Sequence, residues 1–507
     1  MGTPFVRLGA RGVTRRFGQV IANDRVDFGA APGSIHAIVG GNGAGKTTLM
    51  RMLQGIEQPD EGDVIINDAP ARLANSSDAF RRGIGMVHQE FMLVEDLTML
   101  ENLILGAEPV TPGGLIDRKA ARAAAEAAEA QAGVKLDWDI RVAQAPVHRR
   151  QILEILRLLY RGAEVLILDE PTSVLAPQQV RDLLALLRKL RQEGRTIIFI
   201  SHKLDEVLAV ADDITVLRAG RVVGSAKPGQ TSAAKLGAMM VGEEIDFPHR
   251  TARTLAGRAP VLAVQGLAAL DTRGVMRLND IDLVVRPGEV VGVAGVAGSG
   301  QDELVATIVG LIQPARGTVT LDGRDITTWP IAARRGAGLG YISADRSREG
   351  LCLSATIADN VIAGRHRAAP FERMGLLRPS IISAHVRRAL DAFAVVRRDE
   401  ADPVRSLSGG NQQRVVIARE LDRAPNLLIA AQPTRGVDIA GIAFIHREML
   451  AYIERGGAVL LVSEELDELL LLSDRIVAMH HGRATGEMRG EQADIDSIGR
   501  LMLGEAA

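Results

Sequence analysis

The chain has 507 residues, of which 47% are hydrophobic and 24% charged, so it is long enough for more than one folded domain and too apolar to be disordered. Its 60 Lys and Arg residues balance 62 Asp and Glu residues, and this net charge of -2 argues against general nucleic-acid binding. The single cysteine, Cys352, excludes an intrachain disulfide and a cysteine-based zinc site.

No segment approaches the roughly 18 consecutive apolar residues that cross a bilayer, and the sequence starts without an apolar signal-peptide stretch. We therefore expect the chain to reside in a reducing compartment and to contact membranes only through partners.

The first element with chemical content is a glycine-rich loop. The segment "GGNGAGKT" follows the apolar run "IHAIV" and precedes the helical pattern "TLMRML", so it fits G-x-x-x-x-G-K-[ST] between a strand and a helix. Backbone N–H groups of such loops wrap phosphates, Lys46 would reach the β- and γ-phosphates, and Thr47 would offer its hydroxyl to Mg²⁺. The predicted phosphate-loop residues are Gly40, Asn42, Gly43, Ala44, Gly45, Lys46, Thr47 and Thr48.

A helix-rich insertion follows, roughly over residues 90–160, and a second is predicted in the other half, roughly over residues 350–425. Its Ala-rich segment "RKAARAAAEAAEAQAG" predicts a helix that ends at a glycine. The apolar run "VLILDE" then predicts a buried strand that ends in two carboxylates, of which Asp169 would bind Mg²⁺ directly or through one of its ligands and Glu170 would polarise a water. Gln89 in "MVHQE" and His202 in "FISHKLDE" would not indicate catalysis if they stood alone.

The second half repeats the first with key residues replaced. The segments "VLILDEPT" and "LLIAAQPT" align without a gap, so that Ala431 and Gln432 stand at the positions of the two carboxylates. In the second glycine-rich loop, "GVAGSGQDE", Gln301 and Asp302 stand at the positions of Lys46 and Thr47, and losing a positive charge while gaining a negative one weakens phosphate binding. Glu464 stands at the position of the first-half histidine, so we expect no hydrolysis in this half.

The halves are predicted at residues 1–242 and 263–507, joined by a linker at 243–262 in which Pro, Gly and charged residues interrupt the pattern. In each half, apolar β-rich runs alternate with helical patterns, which indicates an α/β fold with a largely parallel sheet.

These motifs, together with "SLSGGNQQRVVIAREL" at 406–421, resemble ABC-transporter ATPase subunits in which two nucleotide-binding domains are fused. The resemblance runs almost end to end. It implies two tandem P-loop NTPase domains of the ABC type, each with a RecA-like core, a β-rich N-terminal part and a helical insertion. It also implies ATP and Mg²⁺ as cofactors.

The resemblance assigns further roles. Phe17 would stack on adenine, Gln89 would lie near Mg²⁺ and the attacking water, His202 would contact the γ-phosphate, and Glu170 would activate the water. The signature residues would be Ser408, Gly409, Gly410 and Asn411, at the start of a helix whose N-terminus favours a phosphate.

In the family that the chain resembles, each ATP lies between the phosphate loop of one domain and the signature of the other. The first half has no signature: Ala145, Pro146, Val147 and His148 stand at its aligned position, and Pro146 lacks an N–H. The resemblance thus implies one complete site, built from first-half Walker motifs and the second-half signature, and one degenerate site.

Within the family, the replacement of Asp-Glu by Ala-Gln makes the chain similar to ATPases of nucleoside importers, and a monosaccharide importer of the ribose, xylose or galactose type is the alternative. A soluble tandem ATPase acting on ribosomes or DNA is a remote alternative. The importer reading implies two integral-membrane permease subunits, an extracytoplasmic substrate-binding protein reached through them, no nucleic-acid partner, and a peripheral location on the cytoplasmic face of the inner membrane.

Overall fold

The computed structural model of the chain describes residues 7–18, 20–41, 43–88, 91–173, 175–242, 248, 250, 257–271 and 274–505. The chain divides into two compact units, which we call unit 1 (Met1–Ile245) and unit 2 (Asp246–Ala507). Most of the predicted linker at 243–262 lies outside the described residues, so the bounds predicted for the two domains remain predictions.

The strands of unit 1 are β1 (Leu8–Phe17), β2 (Val20–Ala30), β3 (Ile35–Gly40), β4 (Glu61–Ile66), β5 (Ala69–Ala71), β6 (Ile84–Val87), β7 (Val165–Asp169), β8 (Thr196–Ile200), β9 (Asp213–Arg218) and β10 (Arg221–Ala226). Its α-helices are α1 (Lys46–Leu53), α2 (Ser76–Arg81), α3 (Met99–Ile104), α4 (Arg118–Ala132), α5 (Val147–Tyr160), α6 (Pro177–Gln192), α7 (Leu204–Val210) and α8 (Ala233–Val241).

Two sheets organise unit 1. A four-stranded antiparallel sheet has the order β2-β1-β4-β5, and a six-stranded sheet has the order β10-β9-β3-β8-β7-β6. Strands β6, β7, β8, β3 and β9 are parallel, whereas β10 pairs antiparallel with β9. Every residue of β3, β7 and β8 is buried, as expected for central strands covered on both faces, and this explains their uninterrupted apolar sequences.

The predicted Ala-rich helix is confirmed as α4. Asp117 caps its N-terminus by accepting hydrogen bonds from two backbone N–H groups, and Gly133 ends it in the left-handed conformation with φ 73°. Its buried face consists of the alanines at 121, 125, 128 and 132, which recur at helical spacing.

Strand β3 also buries a histidine. The Nε2 atom of His36 lies 2.8 Å from the hydroxyl of Thr215 on β9, and the edge of Phe28 meets its ring with centroids 4.8 Å apart. Burial lowers the pKa of His36 to about 4, so the ring is neutral at physiological pH.

The strands of unit 2 are β11 (Leu262–Leu270), β12 (Met276–Val285), β13 (Val290–Gly295), β14 (Arg316–Leu321), β15 (Arg324–Asp325), β16 (Leu339–Ile342), β17 (Glu372–Arg373), β18 (Leu376–Leu377), β19 (Leu427–Ala431), β20 (Ala458–Val462), β21 (Arg475–His480) and β22 (Arg483–Arg489). Its α-helices are α9 (Gln301–Val309), α10 (Ile331–Gly336), α11 (Ile357–Ile362), α12 (Pro379–Ala392), α13 (Gly409–Leu421), α14 (Ile439–Glu454), α15 (Leu466–Leu472) and α16 (Ile495–Met502).

Unit 2 repeats the sheet orders of unit 1. Its four-stranded sheet has the order β12-β11-β14-β15, and its six-stranded sheet has the order β16-β19-β20-β13-β21-β22. The predicted structural repeat and the α/β fold with a mainly parallel sheet are therefore confirmed. None of the helices within the described ranges is long and apolar enough to cross a membrane.

A buried arginine ties the helices of unit 2 to its sheet region. Arg334 on α10 is fully buried, and its guanidinium donates hydrogen bonds of 2.7 to 2.9 Å to the carbonyl oxygens of Thr307, Ile308, Thr327 and Trp329. Four carbonyl acceptors satisfy a charge that would be costly to bury alone.

Candidate functional site

Three segments of unit 1 meet at one edge of the six-stranded sheet. Strands β3, β8 and β7 are neighbours and run in the same direction, so their carboxyl ends lie side by side. The phosphate loop follows β3, Asp169 ends β7, and His202 follows β8 after one residue. This edge is where ligands bind in open parallel α/β sheets.

The phosphate loop depends on glycine at its turn into α1. Gly43 and Gly45 have φ of 76° and 95°, which side-chain-bearing residues rarely adopt. A methyl group on Gly45 would also lie 2.3 Å from the carbonyl oxygen of Ala22. Helix α1 then begins at Lys46, so its first backbone N–H groups face the loop.

Lys46 is held inside this loop. Its side chain is buried, and its Nζ atom donates hydrogen bonds to the carbonyl oxygens of Gly40 at 2.7 Å and Gly41 at 3.0 Å. Burial lowers the pKa of Lys46, although the charges of Glu170 and Asp169 act in the opposite direction. Its hydrogen-bond partners in the loop are neutral carbonyl groups. A phosphate group bound in the loop would add an anionic partner and stabilise the charged form of this ammonium.

Asp169 and Glu170 lie in different environments although they are neighbours. Burial and the adjacent charge of Glu170 raise the pKa of Asp169 to about 6, against the opposing effect of Lys46. Burial also raises the pKa of Glu170, but the hydrogen bond and charge of His202, with Lys46 and Lys203, bring it below its ordinary value. Glu170 is therefore ionised at neutral pH and suited to accept a proton or orient a water.

The backbone presents Glu170 to His202. Glu170 has a left-handed φ of 48°, its N–H donates to the carbonyl oxygen of Ile200, and its Oε1 atom lies 3.0 Å from Nδ1 of His202. A non-glycine residue in this conformation is a common mark of functional sites. The structure thus brings together two of the three residues predicted to be catalytic.

The remaining predicted residues of unit 1 are placed as follows. Thr47 is exposed at the start of α1, Thr48 is half-buried beside it, and Ala44 is buried in the loop. Phe17 ends β1 with 45% of its surface exposed, and the guanidinium of Arg15 lies 4.9 Å from its ring centroid. Asn42 and Gln89, which the sequence also predicts as site residues, lie outside the described residues.

The residues present fit a nucleotide with its magnesium ion. In the parts of the chain that the structure describes, no three His, Cys, Asp or Glu side chains gather to hold a metal by themselves. Mg²⁺ typically takes one or two carboxylates together with substrate phosphates and waters, and Asp169 and Thr47 offer that kind of partial ligand set. The buried carboxyl of Asp169, with its raised pKa, would be stabilised in its charged form by a nearby cation.

Unit 2 keeps the backbone of this loop but not its chemistry. Gly298 and Gly300 have φ of 82° and 106°, and α9 begins at Gln301 as α1 begins at Lys46. The buried amide of Gln301 turns back into the loop and donates a hydrogen bond of 3.4 Å to the carbonyl oxygen of Val296. An uncharged amide thus occupies the place of the ammonium.

Unit 2 also keeps the backbone conformation, but not the carboxylate, at the residue that follows strand β19. Gln432 has a left-handed φ of 47°, and its N–H donates to the carbonyl oxygen of Val462, as Glu170 donates to that of Ile200. Its side-chain oxygen accepts a hydrogen bond of 3.2 Å from the backbone N–H of Glu464. Unit 2 therefore retains the strained conformation without a carboxylate to use it.

The predicted signature residues lie at the start of α13. Ser408 caps the helix, and its hydroxyl accepts hydrogen bonds from the backbone N–H of Asn411 at 3.4 Å and from its Nδ2 at 3.0 Å. A methyl group on Gly410 would meet nothing within 4 Å, so the helix surface at Gly410 is open for a ligand to approach.

The corresponding helix of unit 1, α5, begins in a different way. Pro146 stands at its N-cap without a capping hydrogen bond, Ala145 before it is buried, and Val147 opens the helix. The Nδ1 atom of His148 lies 3.2 Å from the amide nitrogen of Gln179. This segment therefore lies at the start of a helix, as the signature with which it aligns does.

Sequence reasoning missed one residue beside the signature. The guanidinium of Arg346 donates a hydrogen bond of 2.7 Å to the carbonyl oxygen of Arg435, and a methyl group on Gly409 would lie 2.7 Å from its Nη2 atom. Arg346 thus fills the space that a side chain at Gly409 would need. Only the nearby charged stretch "ADRSREG" could have drawn attention to it.

Comparison with known proteins gives consistent results. The family described as "ABC transporter" matches residues 23–173 and 278–435. The nucleoside import ATP-binding protein NupA of Lactococcus lactis is 41% identical, over 97% of each chain. The guanosine import ATP-binding protein NupO of Bacillus subtilis is 39% identical, over 97% of this chain and 96% of its own. The ribose import ATP-binding protein RbsA 1 of Rubrobacter xylanophilus is 39% identical, over 96% of each.

Proposed function

The chain belongs to the ABC transporter family as a tandem ATP-binding subunit, and from this premise we propose that it hydrolyses ATP to energise the import of nucleosides. The observation that carries the ATPase part is the edge of the unit 1 sheet, where Lys46, Asp169 and the Glu170–His202 pair converge. The nucleoside assignment is supported by the end-to-end similarity to the nucleoside and guanosine import proteins.

The chemistry we propose uses unit 1 to bind and position ATP. Lys46 and the N–H groups around it hold the phosphates, while Thr47, Asp169 and Gln89 complete the site for Mg²⁺, which neutralises developing charge on the phosphates. Glu170 orients or deprotonates the attacking water, and His202 holds Glu170 and the γ-phosphate in place. Most of the rate enhancement comes from positioning and electrostatic stabilisation.

We propose that the signature of unit 2, Ser408 to Asn411, completes this ATP site. This follows the family arrangement implied by the motifs, and it is supported by the distribution of residues: unit 1 has the phosphate loop and no signature, and unit 2 has the signature and Gln301 in its loop. The complementary pairing lacks the lysine, the carboxylates and the signature, so we propose that it is not hydrolytic.

The proposed complex contains two integral-membrane permease subunits, and an extracytoplasmic binding protein delivers the substrate to them. The chain would lie on the cytoplasmic face of the inner membrane. Co-purification of the tagged chain from membranes tests this assembly: recovery with integral membrane proteins supports it, whereas recovery with ribosomes would replace it with the soluble-ATPase alternative.

Uptake of radiolabelled guanosine, uridine and ribose by cells that lack the chain tests the substrate. We expect nucleoside uptake to be lost and to return with the wild-type chain but not with Lys46→Ala. A monosaccharide importer is the second candidate because ribose import proteins are nearly as similar to the chain. Loss of ribose uptake with normal nucleoside uptake would favour that second candidate.

A further inference from the structure

A small exposed hairpin projects from the helical insertion of unit 2. Strands β17 and β18 pair through Arg373 and Leu376, and two residues, Met374 and Gly375, connect them. Both connecting residues are left-handed, with φ of 53° and 81°, as in a type I′ turn. We call the segment 365–378 the tip hairpin.

The outer end of the tip hairpin is strongly apolar. Met374 is 91% exposed, Leu376 73% and Leu377 51%. Type I′ turns favour Asn, Asp or Gly at the first left-handed position, so a bulky apolar residue there is the opposite of what turn stability alone would select. A strained residue with an exposed apolar side chain points to a role in contacting something outside the chain.

The base of the tip hairpin is firmly attached. Phe371 is buried and packs edge-on against His385 of α12, with ring centroids 4.8 Å apart, while its carbonyl oxygen accepts a hydrogen bond from the N–H of Arg378. The guanidinium of Arg365 lies 5.3 Å from the Phe371 ring and makes a 2.6 Å ion pair with Asp422. The apolar end is therefore presented from a fixed support.

Positive charge accompanies the apolar side chains in the tip hairpin. The segment contains four arginines and one glutamate. Arg367, Arg373 and Arg378 are all exposed, and none of them pairs with a carboxylate of the residues that the structure describes. One short segment thus exposes three cations and three apolar side chains, and this combination suits a membrane surface, where anionic headgroups cover an apolar interior.

The corresponding loop of unit 1 lacks this combination. It lies between α3 and α4 as the tip hairpin lies between α11 and α12, and it too exposes apolar side chains, namely Val110, Leu115 and Ile116. However, residues 107–117 contain Glu108 and Asp117 and no Lys or Arg. The next cations along the chain, Arg118 and Lys119, are exposed in the first turn of α4. Exposed apolar residues are thus common to both loops, and arginines between the two helices are specific to unit 2.

In contrast to the expectation from the sequence that membrane contact goes only through partners, we propose that the tip hairpin binds the surface of an anionic membrane directly. Its arginines would lie on phosphate headgroups, and Met374, Leu376 and Leu377 at the boundary of the acyl chains. The inference rests on the proposed function, which places the chain beside the cytoplasmic leaflet, where anionic lipids are found. A permease segment is the other occupant to consider, but a lipid surface suits a two-residue turn with exposed apolar side chains and with arginines before, on and after its two short strands.

The test is sedimentation of the full-length chain with vesicles, without permease subunits. We expect binding to vesicles of phosphatidylcholine mixed with phosphatidylglycerol, little binding to phosphatidylcholine alone, and weakening by salt. Each arginine near an anionic surface strengthens binding about fivefold, so Arg367→Gln/Arg373→Gln/Arg378→Gln should weaken it by on the order of 10²-fold. The apolar triple variant, Met374→Ser/Leu376→Ser/Leu377→Ser, should weaken it at least about tenfold.

The matched control is Val110→Ser/Leu115→Ser/Ile116→Ser in unit 1, which should bind vesicles as the wild type does. Thermal melting by circular dichroism should show all variants folded, since the changed side chains are exposed. No binding of the wild type to anionic vesicles, or equal loss in the control, would overturn the proposal.

Co-purification with the permeases separates this inference from the proposed function. If the wild type co-purifies with integral membrane proteins but does not bind vesicles, only the membrane contact is wrong. If the tip variants also fail to co-purify in detergent, the tip is a protein-docking surface and the lipid proposal is overturned. If the wild type does not co-purify at all, it is the proposed function that fails, whatever the vesicles show.

Discussion

Replacing Glu170 with glutamine is the sharpest test of the proposed catalytic site. Gln has the same shape, can keep the contact with His202 and can adopt the left-handed φ of 48°, since Gln432 holds φ 47° at the corresponding position of unit 2. The substitution therefore removes the negative charge and proton-accepting ability and little else. Losing a positioned acid or base lowers turnover about 10²–10⁴-fold, equivalent to about 3–5 kcal/mol of transition-state stabilisation.

The assay is ATP turnover by the purified complex in membranes, with nucleotide binding measured separately by a fluorescent ATP analogue. We expect Glu170→Gln to bind nucleotide as the wild type does and to release phosphate at least about 10²-fold more slowly. The matched control is Gln432→Glu, which places a carboxylate on the same backbone conformation in unit 2, where Gln301 cannot replace the charge of Lys46. That variant should leave turnover unchanged.

Two results would refute the reasoning. If Glu170→Gln retained more than about a tenth of the wild-type turnover, another group would be activating the water. If Gln432→Glu increased turnover, unit 2 would contain a site that a single carboxylate repairs, and the proposal of one hydrolytic site would fail.

Three further predictions concern folding and the loop. Because burial lowers the pKa of His36 from 6.5 to about 4, the folded protein binds fewer protons than the unfolded chain between those values, and stability is lost as pH falls. In urea titrations His36→Gln should remove about 3 kcal/mol of the difference in unfolding free energy between pH 7 and pH 4; an unchanged pH dependence would contradict this. Gly45→Ala should abolish nucleotide binding through the clash with Ala22, whereas Gly43→Ala, which has open space, should weaken it only through backbone strain, and equal affinities in a fluorescence titration would count against the geometry. Arg334→Met leaves four carbonyl groups without their donor, those of Thr307 and Ile308 in buried positions, and should cost about 3 kcal/mol or more, measured as a fall in urea midpoint.

Sequence reasoning anticipated what depends on local pattern. The phosphate loop, the buried strand ending in Asp169, the Ala-rich helix and the repeat were all predictable, because glycine spacing, apolar runs and a gap-free alignment record them directly. The contact between Glu170 and His202 depends on β7 and β8 being neighbours in the parallel sheet. The sequence does not state the strand order, so this contact required the structure.

Other features depend on contacts between distant segments and leave little trace in the sequence. From the sequence alone, Arg334 would be predicted to be an ordinary surface arginine. The structure shows that it is buried and bonded to four carbonyl groups. The position of Arg346 over Gly409 and the return of the Gln301 amide into its own loop are similar cases. The roles predicted for Asn42 and Gln89 remain predictions, since both lie outside the described residues.

The exchange of Lys46 for Gln301 makes the stability of the two loops depend differently on bound phosphate. Its loop is satisfied from within, whereas Lys46 carries a buried charge that a bound phosphate would stabilise. A ligand at about 100 times its dissociation constant stabilises the folded form that binds it by about 2.7 kcal/mol. We therefore expect the stability of unit 1 to follow the ATP supply directly, and that of unit 2 to follow it only through the signature that we propose completes the same site. Energy-starved cells would then lose this protein through proteolysis that begins in its first half.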